Sequence, residues 1–228
     1  MRALAGVLAF VVAFAASADP ATTKRWTERL KESAELLKAD QHARALQIDN
    51  KLVNEMVELL GPGEAATAAF ALALTHKALA HAGLGQHEDA LWHWHTVLSL
   101  YPKLAGDDLS MFGKAGAFLM ANRERREEAT AGKADPDAKI TPPTVLKRVA
   151  PKFPRAARHF AVEGQLEVEV RVALDGTISA PKIIRPLPAP TLSYTALSAV
   201  RQWRFTPAKL DGQIVPFIWN LTVNFKLN

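Results

Sequence analysis

The sequence predicts an α + (α+β) architecture: an all-α, helical-repeat-like half followed by a small α+β domain built on an antiparallel three-stranded sheet. Three observations lead there. From Thr22 to Leu100, apolar residues recur three or four apart, and the segments stop at Gly- and Pro-containing turns. Near the end of the chain, Val215, Phe217, Trp219, Leu221, Val223, Phe225 and Leu227 alternate with Asn220, Thr222, Asn224 and Lys226, the period of a half-buried strand. Between these stretches, Leu166, Val168, Val170, Val172 and Leu174 alternate with Gln165, Glu167, Glu169 and Arg171, then run into the hairpin signal Asp175-Gly176.

The remaining elements of the second half follow from the same patterns. A returning strand is expected from Thr177 to Arg185. Ala196, Ala199, Val200 and Trp203 lie three or four apart and mark a short helix. Asp211-Gly212 is a turn signal that lets the chain reverse into the long last strand. One face of such a sheet packs on helices and the other meets water. Trp203, Trp219 and Phe225 are expected in the apolar layer.

In the first half, Thr22 to Glu58 reads as one helix. Trp26, Leu30, Leu36 and Leu37 give it one apolar face, Leu46, Leu52, Val53, Val57 and Leu60 another, and Gly61-Pro62-Gly63 ends it. Helices from Glu64 to a Gly83-Leu84-Gly85 turn, and from Glu88 to Leu100, resemble one tetratricopeptide repeat. Gly85, Ala90, Trp94, Val97 and Pro102 occupy that family's turn, small, aromatic, small and closing positions. A lone repeat needs neighbours to bury its face, and a helix from Asp108 to Glu128 is expected to cap it. Residues 130–143 read as a linker, separating a helical domain at 19–129 from a second domain at 144–228.

Arg2, the apolar run Ala3 to Ala16 and the small residues Ala16-Ser17-Ala18 make a secretory signal peptide at residues 1–18. The run is shorter than the roughly 20 apolar residues of a spanning helix, so cleavage before Asp19 is expected; the alternative is an uncleaved membrane anchor. The chain has no cysteine, which excludes disulfides, thiolate metal sites and a cysteine nucleophile. His76, His81, His87, His93 and His95 crowd together, but their spacings do not match the three or four that metal ligands on a helix want, so no metal or other cofactor is expected. No nucleophile elbow, zinc-protease motif or glycine-rich phosphate loop occurs, so the chain reads as a non-enzyme without a small-molecule substrate. Residues 140–228 hold twelve Lys and Arg against five Asp and Glu, a charge of +7, while residues 1–139 carry −2. The basic surface Lys147, Arg148, Lys152, Arg155 and Arg158 is therefore a secondary candidate for an anionic partner, though not for nucleic acid, since no aromatic-interleaved basic motif accompanies it.

A family resemblance rests on Phe153-Pro154, Ala157-Arg158, Glu163-Gly164, Asp175-Gly176, Ala199-Val200-Arg201-Gln202-Trp203-Arg204-Phe205, Pro207-Ala208 and Asp211-Gly212. In order and spacing, these resemble the C-terminal domain of the TonB family over residues 144–228. Two departures stand out: Arg185-Pro186-Leu187-Pro188-Ala189-Pro190 with Leu192-Ser193 replaces the usual approach to the second helix, and Phe153 replaces a tyrosine. The resemblance implies an envelope protein facing the periplasm. Its last strand would pair with a short extended segment of an outer-membrane transporter, in energised transport. The edge expected to do so is Ile218, Trp219, Asn220, Leu221, Thr222, Val223 and Asn224, by strand addition. An ExbB/ExbD-type motor is implied as a partner only if the N-terminus stays in the inner membrane. Without such an anchor, the chain reads as a periplasmic adaptor bridging envelope proteins through its two halves.

Overall fold

The computed structural model describes residues 19–61, 64–124 and 139–227. The signal segment read at Met1–Ala18, the tail of the capping helix beyond Glu124 and most of the linker lie outside the described residues. Helix α1 (Pro20–Lys38) opens on Asp19, whose carboxylate accepts from the N–H groups of Ala21 and Thr22 at 3.0 Å each, with Pro20 at the first helical position. The single helix expected from Thr22 to Glu58 is two helices. The chain turns at Asp40, whose φ of 55° is a left-handed conformation that Asp tolerates, and α2 (His42–Leu59) folds back on α1. The two apolar faces legible in that stretch belong to two helices facing each other.

Helices α3 (Glu64–Gly83) and α4 (His87–Leu100) form the antiparallel pair read as a repeat, turning at Gly85 with φ 72°. Trp26, Leu37, Leu52, Met56, Phe70, Leu74 and Leu79 fill this half, together with Ala90, Trp94 and Val97 of α4. Ala90 has no exposed surface. Ala90→Leu is therefore expected to overpack the site at a cost of about 1–3 kcal/mol, read as a lower urea midpoint of the full chain. The capping helix expected from Asp108 to Glu128 is shorter. A 3-10 turn at Ser110–Phe112 leads through Gly113, φ 56°, into α5 (Gly113–Ala121). Only a glycine fits at 116, because a Cβ there would lie 1.9 Å from the carbonyl oxygen of Leu109.

In the second half, β1 (Ile140–Thr141) and β2 (Val145–Lys147) precede a short helix α6 (Arg155–His159). Then come β3 (Gly164–Val172), β4 (Ile178–Arg185), α7 (Pro190–Val200), β5 (Arg204–Phe205), β6 (Ala208–Leu210), β7 (Gln213–Val215) and β8 (Phe217–Phe225). The main sheet is antiparallel with order β4-β3-β8, as expected for three strands. Two small ladders flank it: β2 with β5, and β1-β6-β7 around the Asp211-Gly212 turn. Lys139 exchanges hydrogen bonds with Asp211 and β1 pairs with β6, so residues 139–141 of the stretch read as a linker are bonded to the second half. The core joins Leu166, Val168, Val170 and Val172 to Leu192, Ala196, Leu197 and Val200 of α7. Trp203 and Phe225 are buried as expected, the indole N–H of Trp203 donating to the Val149 carbonyl at 2.9 Å. Trp219 is a correction: it is only partly buried, because β8 is an edge strand and the apolar layer thins at its start.

The halves are packed together. Trp92 of α4 is buried in the core of the second half, with the guanidinium carbon of Arg201 5.2 Å above its ring. Arg201 also pairs with Asp89 at 2.6 Å. Tyr194 of α7 reaches the other way, edge-on to Phe70 at 5.3 Å. Helix α4 lies against β4, which is further broken by a bulge at Ala180 (φ 48°) and by the buried Pro181. Bulges, proline and a covering helix are the usual protections of a strand edge.

Buried ionisable groups give the helical half a pH signature. Burial pushes the Asp49 carboxyl up to about 7, against the opposing pull of Ser33 and Lys77, and pushes His76 down to about 4. Burial also holds His93 well below the ordinary histidine value. The raised Asp49 makes the folded state keep a proton that the unfolded chain gives up near pH 4, so its contribution falls as pH rises from about 4 to 7. The two histidines act oppositely, destabilising the fold as pH drops below about 6.5. Asp49→Asn should then be near neutral at about pH 4 and stabilising at about pH 8, by at most about 4 kcal/mol. Urea unfolding at the two pH values checks this; an advantage for Asp49→Asn that does not grow with pH contradicts it.

Candidate functional site: the free edge of the main sheet

Which groups β8 offers to a partner follows from the hydrogen-bond alternation of antiparallel strands. Beyond the end of β3, the N–H of Ala173 donates to the carbonyl of Thr177 at 2.8 Å, so odd-numbered residues of β3 turn their main-chain groups toward β4. The bulges between β3 and β4 insert their extra residues on the β4 side, so the parity of β3 holds along its length. Even-numbered residues of β3 therefore face β8. Their partners are Phe217, Trp219, Leu221, Val223 and Phe225, opposite Val172, Val170, Val168, Leu166 and Gly164. Odd-numbered residues of β8 are thus spent on the ladder; the N–H of Leu227, donating to the Glu163 carboxylate, keeps the same direction. Ile218, Asn220, Thr222 and Asn224 point their N–H and C=O groups outward, where no strand pairs with them among the described residues.

The same alternation runs back through the small hairpin. Leu210 and Gln213 flank its two-residue turn as a bonded pair, so Ile214 also points outward. Pro216 falls at an outward position, where its missing N–H removes no bond within the sheet. This is why a proline is tolerated inside a run that reads as one long strand.

Of the seven edge residues read from the sequence, four present main-chain groups. Leu221 and Val223 are buried and bond inward, and Trp219 contributes only its side chain. The side chains of Ile218, Asn220, Thr222 and Asn224 lie on the open face beside Arg171, Glu169, Glu167 and Gln165, their partners across β3. Glu167 is paired there with Arg185 at 3.0 Å.

The five basic candidates are not one free patch. Glu58 of α2 lies 3.5 Å from both Lys152 and Arg155, and also accepts from the Arg155 N–H at 3.2 Å. Arg148 stacks 4.8 Å over Trp203 and Arg158 lies 5.7 Å over Phe153. Lys147 sits on the exposed strand β2. Sequence reasoning missed Phe217, which adjoins Trp219 with ring centroids 5.9 Å apart; aromatics two apart at the head of an alternating strand were the available signal. It also missed Trp92, Asp89 and Glu58 as contacts between the halves, which no local pattern encodes.

Among the described residues the strand–hairpin–helix–strand domain has one sheet edge covered by a helix and one open, and an open edge carries unpaired main-chain donors and acceptors. Residues 149–227 match the family model of the Gram-negative bacterial TonB protein C-terminal. Protein TonB of Vibrio cholerae serotype O1 is 31% identical over 86 residues, 38% of this chain and 35% of that protein. Protein TonB of Escherichia coli strain K12 is 31% identical over 101 residues, 44% of this chain and 40% of that protein. The matched region spans about a third to two fifths of these relatives' length.

Proposed function

We propose that the chain is a TonB-like envelope protein whose β8 edge takes up a short extended segment of an outer-membrane transporter by strand addition, in energised transport across that membrane. The observation that carries this reading is the outward row of Ile218, Asn220, Thr222 and Asn224 on a domain that matches the TonB C-terminal family model. Each main-chain bond made there is worth a net of about 0.5–1.5 kcal/mol, so a segment pairing with the whole row needs no deep pocket. Export and cleavage before Asp19 fit this reading, since Asp19 is the N-cap of α1 and cleavage there leaves the first helix complete. Among the described residues no helix is long and apolar enough to cross a membrane. An ExbB/ExbD-type motor enters this reading where Met1–Ala18 persists as an anchor. The close docking of the helical half through Trp92 and Tyr194 favours a second reading, a periplasmic adaptor whose helical half presents the β8 edge in a fixed orientation.

The absence of native cysteines makes the test direct. Single-cysteine variants Asn220→Cys and Thr222→Cys are expected to form disulfides with cysteines placed along the extended periplasmic segments of outer-membrane transporters in intact cells. Disulfides formed instead from Lys152→Cys or Arg155→Cys, with none from the edge, would move the site to the basic surface.

A further inference from the structure

A cleft of about 540 Å³ lies between the two halves, where α4 runs against β4. Leu91, Trp92 and Ile178 give it an apolar lining, and its charges are divided between its walls. The helical half contributes carboxylates, Glu88 in the first turn of α4 and Glu124 just beyond α5. The second half contributes guanidiniums, Arg171 of β3, Arg204 of β5 and Arg201 at the end of α7. Two charged groups on that wall are already taken up. Asp175 accepts from the Thr177 N–H at 2.9 Å and from its hydroxyl at 2.6 Å, and Arg201 is held by Asp89 and the Trp92 ring. Arg204 donates to the Trp203 carbonyl at 2.8 Å, which leaves most of its five N–H groups unspent. The Nε of Arg171 is buried and has no hydrogen-bond partner among the described residues. Neither Glu88 nor Glu124 pairs with any of these arginines. The arginine wall is also pre-formed, since the Phe205 N–H, next to Arg204, donates to the Gly176 carbonyl of the hairpin turn at 3.0 Å.

We propose that this cleft binds a short zwitterionic peptide, its free carboxylate taken by Arg171 and Arg204 and its free ammonium by Glu88 and Glu124. A buried guanidinium N–H without an acceptor keeps its desolvation cost until an acceptor arrives, and a carboxylate supplies one with matched fork geometry. A simple anion satisfies the arginines but meets Glu88 and Glu124 as like charges, and a simple cation meets the reverse. A molecule with opposite charges at its two ends suits both walls at once. The volume is in the range of a whole ligand site, room for a few residues rather than one, and the aliphatic lining suits small apolar side chains between the termini. The site uses no part of the β8 edge and stands apart from whatever that edge captures.

The test titrates trialanine into the full chain at neutral pH, with affinity read by calorimetry. Trialanine is expected to bind. N-acetyl-trialanine and trialanine amide, each lacking one terminal charge, should bind at least tenfold more weakly. Arg171→Gln should lower the affinity for trialanine to that for the amide, so that the variant no longer tells acid from amide. Arg204→Gln, at an exposed position, gives the same reading should Arg171→Gln fail to fold, with folding checked by circular dichroism. Glu88→Gln combined with Glu124→Gln should erase the preference over the N-acetyl peptide and keep the preference over the amide. That crossed pattern assigns each terminus to its wall. Thr222→Pro, which removes an outward donor of β8, should bind trialanine as the parent does; loss of binding in that folded variant would place the peptide on the strand edge and overturn the proposal. Absence of binding at millimolar concentration, or equal binding of the two blocked peptides and trialanine, overturns it as well. If the amide alone binds weakly and the paired glutamine variant binds as the parent does, the cleft takes a simple anion and the zwitterion is ruled out.

Discussion

Thr222→Pro is expected to abolish capture of an extended segment while leaving the domain folded, whereas Leu221→Pro, one residue away, is expected to unfold the main sheet. Proline removes an N–H and fixes φ near −65°, so its effect depends on where that N–H points. Thr222 faces outward and lies opposite Glu167 without a ladder bond, so the sheet loses nothing when its donor goes. Its predecessor Leu221 is already extended, as the residue before a proline must be. Leu221 is paired inward with Val168 in the centre of the β3–β8 ladder and is 7% exposed. A proline there deletes a central bond and forces the core apart, at about 3 kcal/mol or more. Thr222→Ala keeps the main-chain donor, and binding should stay within about 1 kcal/mol of the parent. Circular dichroism for folding and peptide titration for binding separate the three variants. Equal behaviour of the two proline variants would mean that the parity assigned to β8 is wrong.

Trp92→Ala should produce the second large effect, and it reports on a different joint. The residue belongs to α4 by sequence, yet its indole is 4% exposed within the core of the other half. Truncating a buried tryptophan costs about 3–5 kcal/mol through lost contacts and the cavity left behind. Here the loss falls on the joint, since Arg201 also loses the ring over which it is held, leaving Asp89 as its partner. The parent is expected to melt in one transition and Trp92→Ala in two, the halves having been uncoupled. A single transition at the parent temperature would show that Trp92 is not what couples the two halves.

The strands and the hairpin turn of the second half were legible because alternation over seven or more residues has one structural meaning, the last helix because its apolar residues recur three or four apart, and Asp175-Gly176 and Asp211-Gly212 fixed where the chain reversed. Gly176 also shows what such a signal omits: a Cβ there would lie 1.9 Å from the Phe205 carbonyl oxygen, a tertiary constraint from far along the chain. The break at Asp40 was not legible, because a left-handed Asp between two amphipathic stretches leaves the helical period almost undisturbed. Edge parity could not be read either, since side-chain alternation is the same whichever way the N–H groups point. It needed the register of a third strand and the Ala173–Thr177 bond. The basic residues looked like one surface in sequence because Glu58, which meets two of them, lies about a hundred residues upstream.

Amide hydrogen exchange of the full chain, free and saturated with a captured segment, tests the central claim most directly. Free protein should exchange quickly at Ile218, Asn220, Thr222 and Asn224 and slowly at Trp219, Leu221 and Val223, whose N–H groups are in the ladder. On binding, the four even-numbered amides should slow by tenfold or more while the odd-numbered ones change little. Binding that leaves those four amides exchanging as fast as before, with new protection at Lys147 to Arg158 instead, would contradict strand addition at this edge.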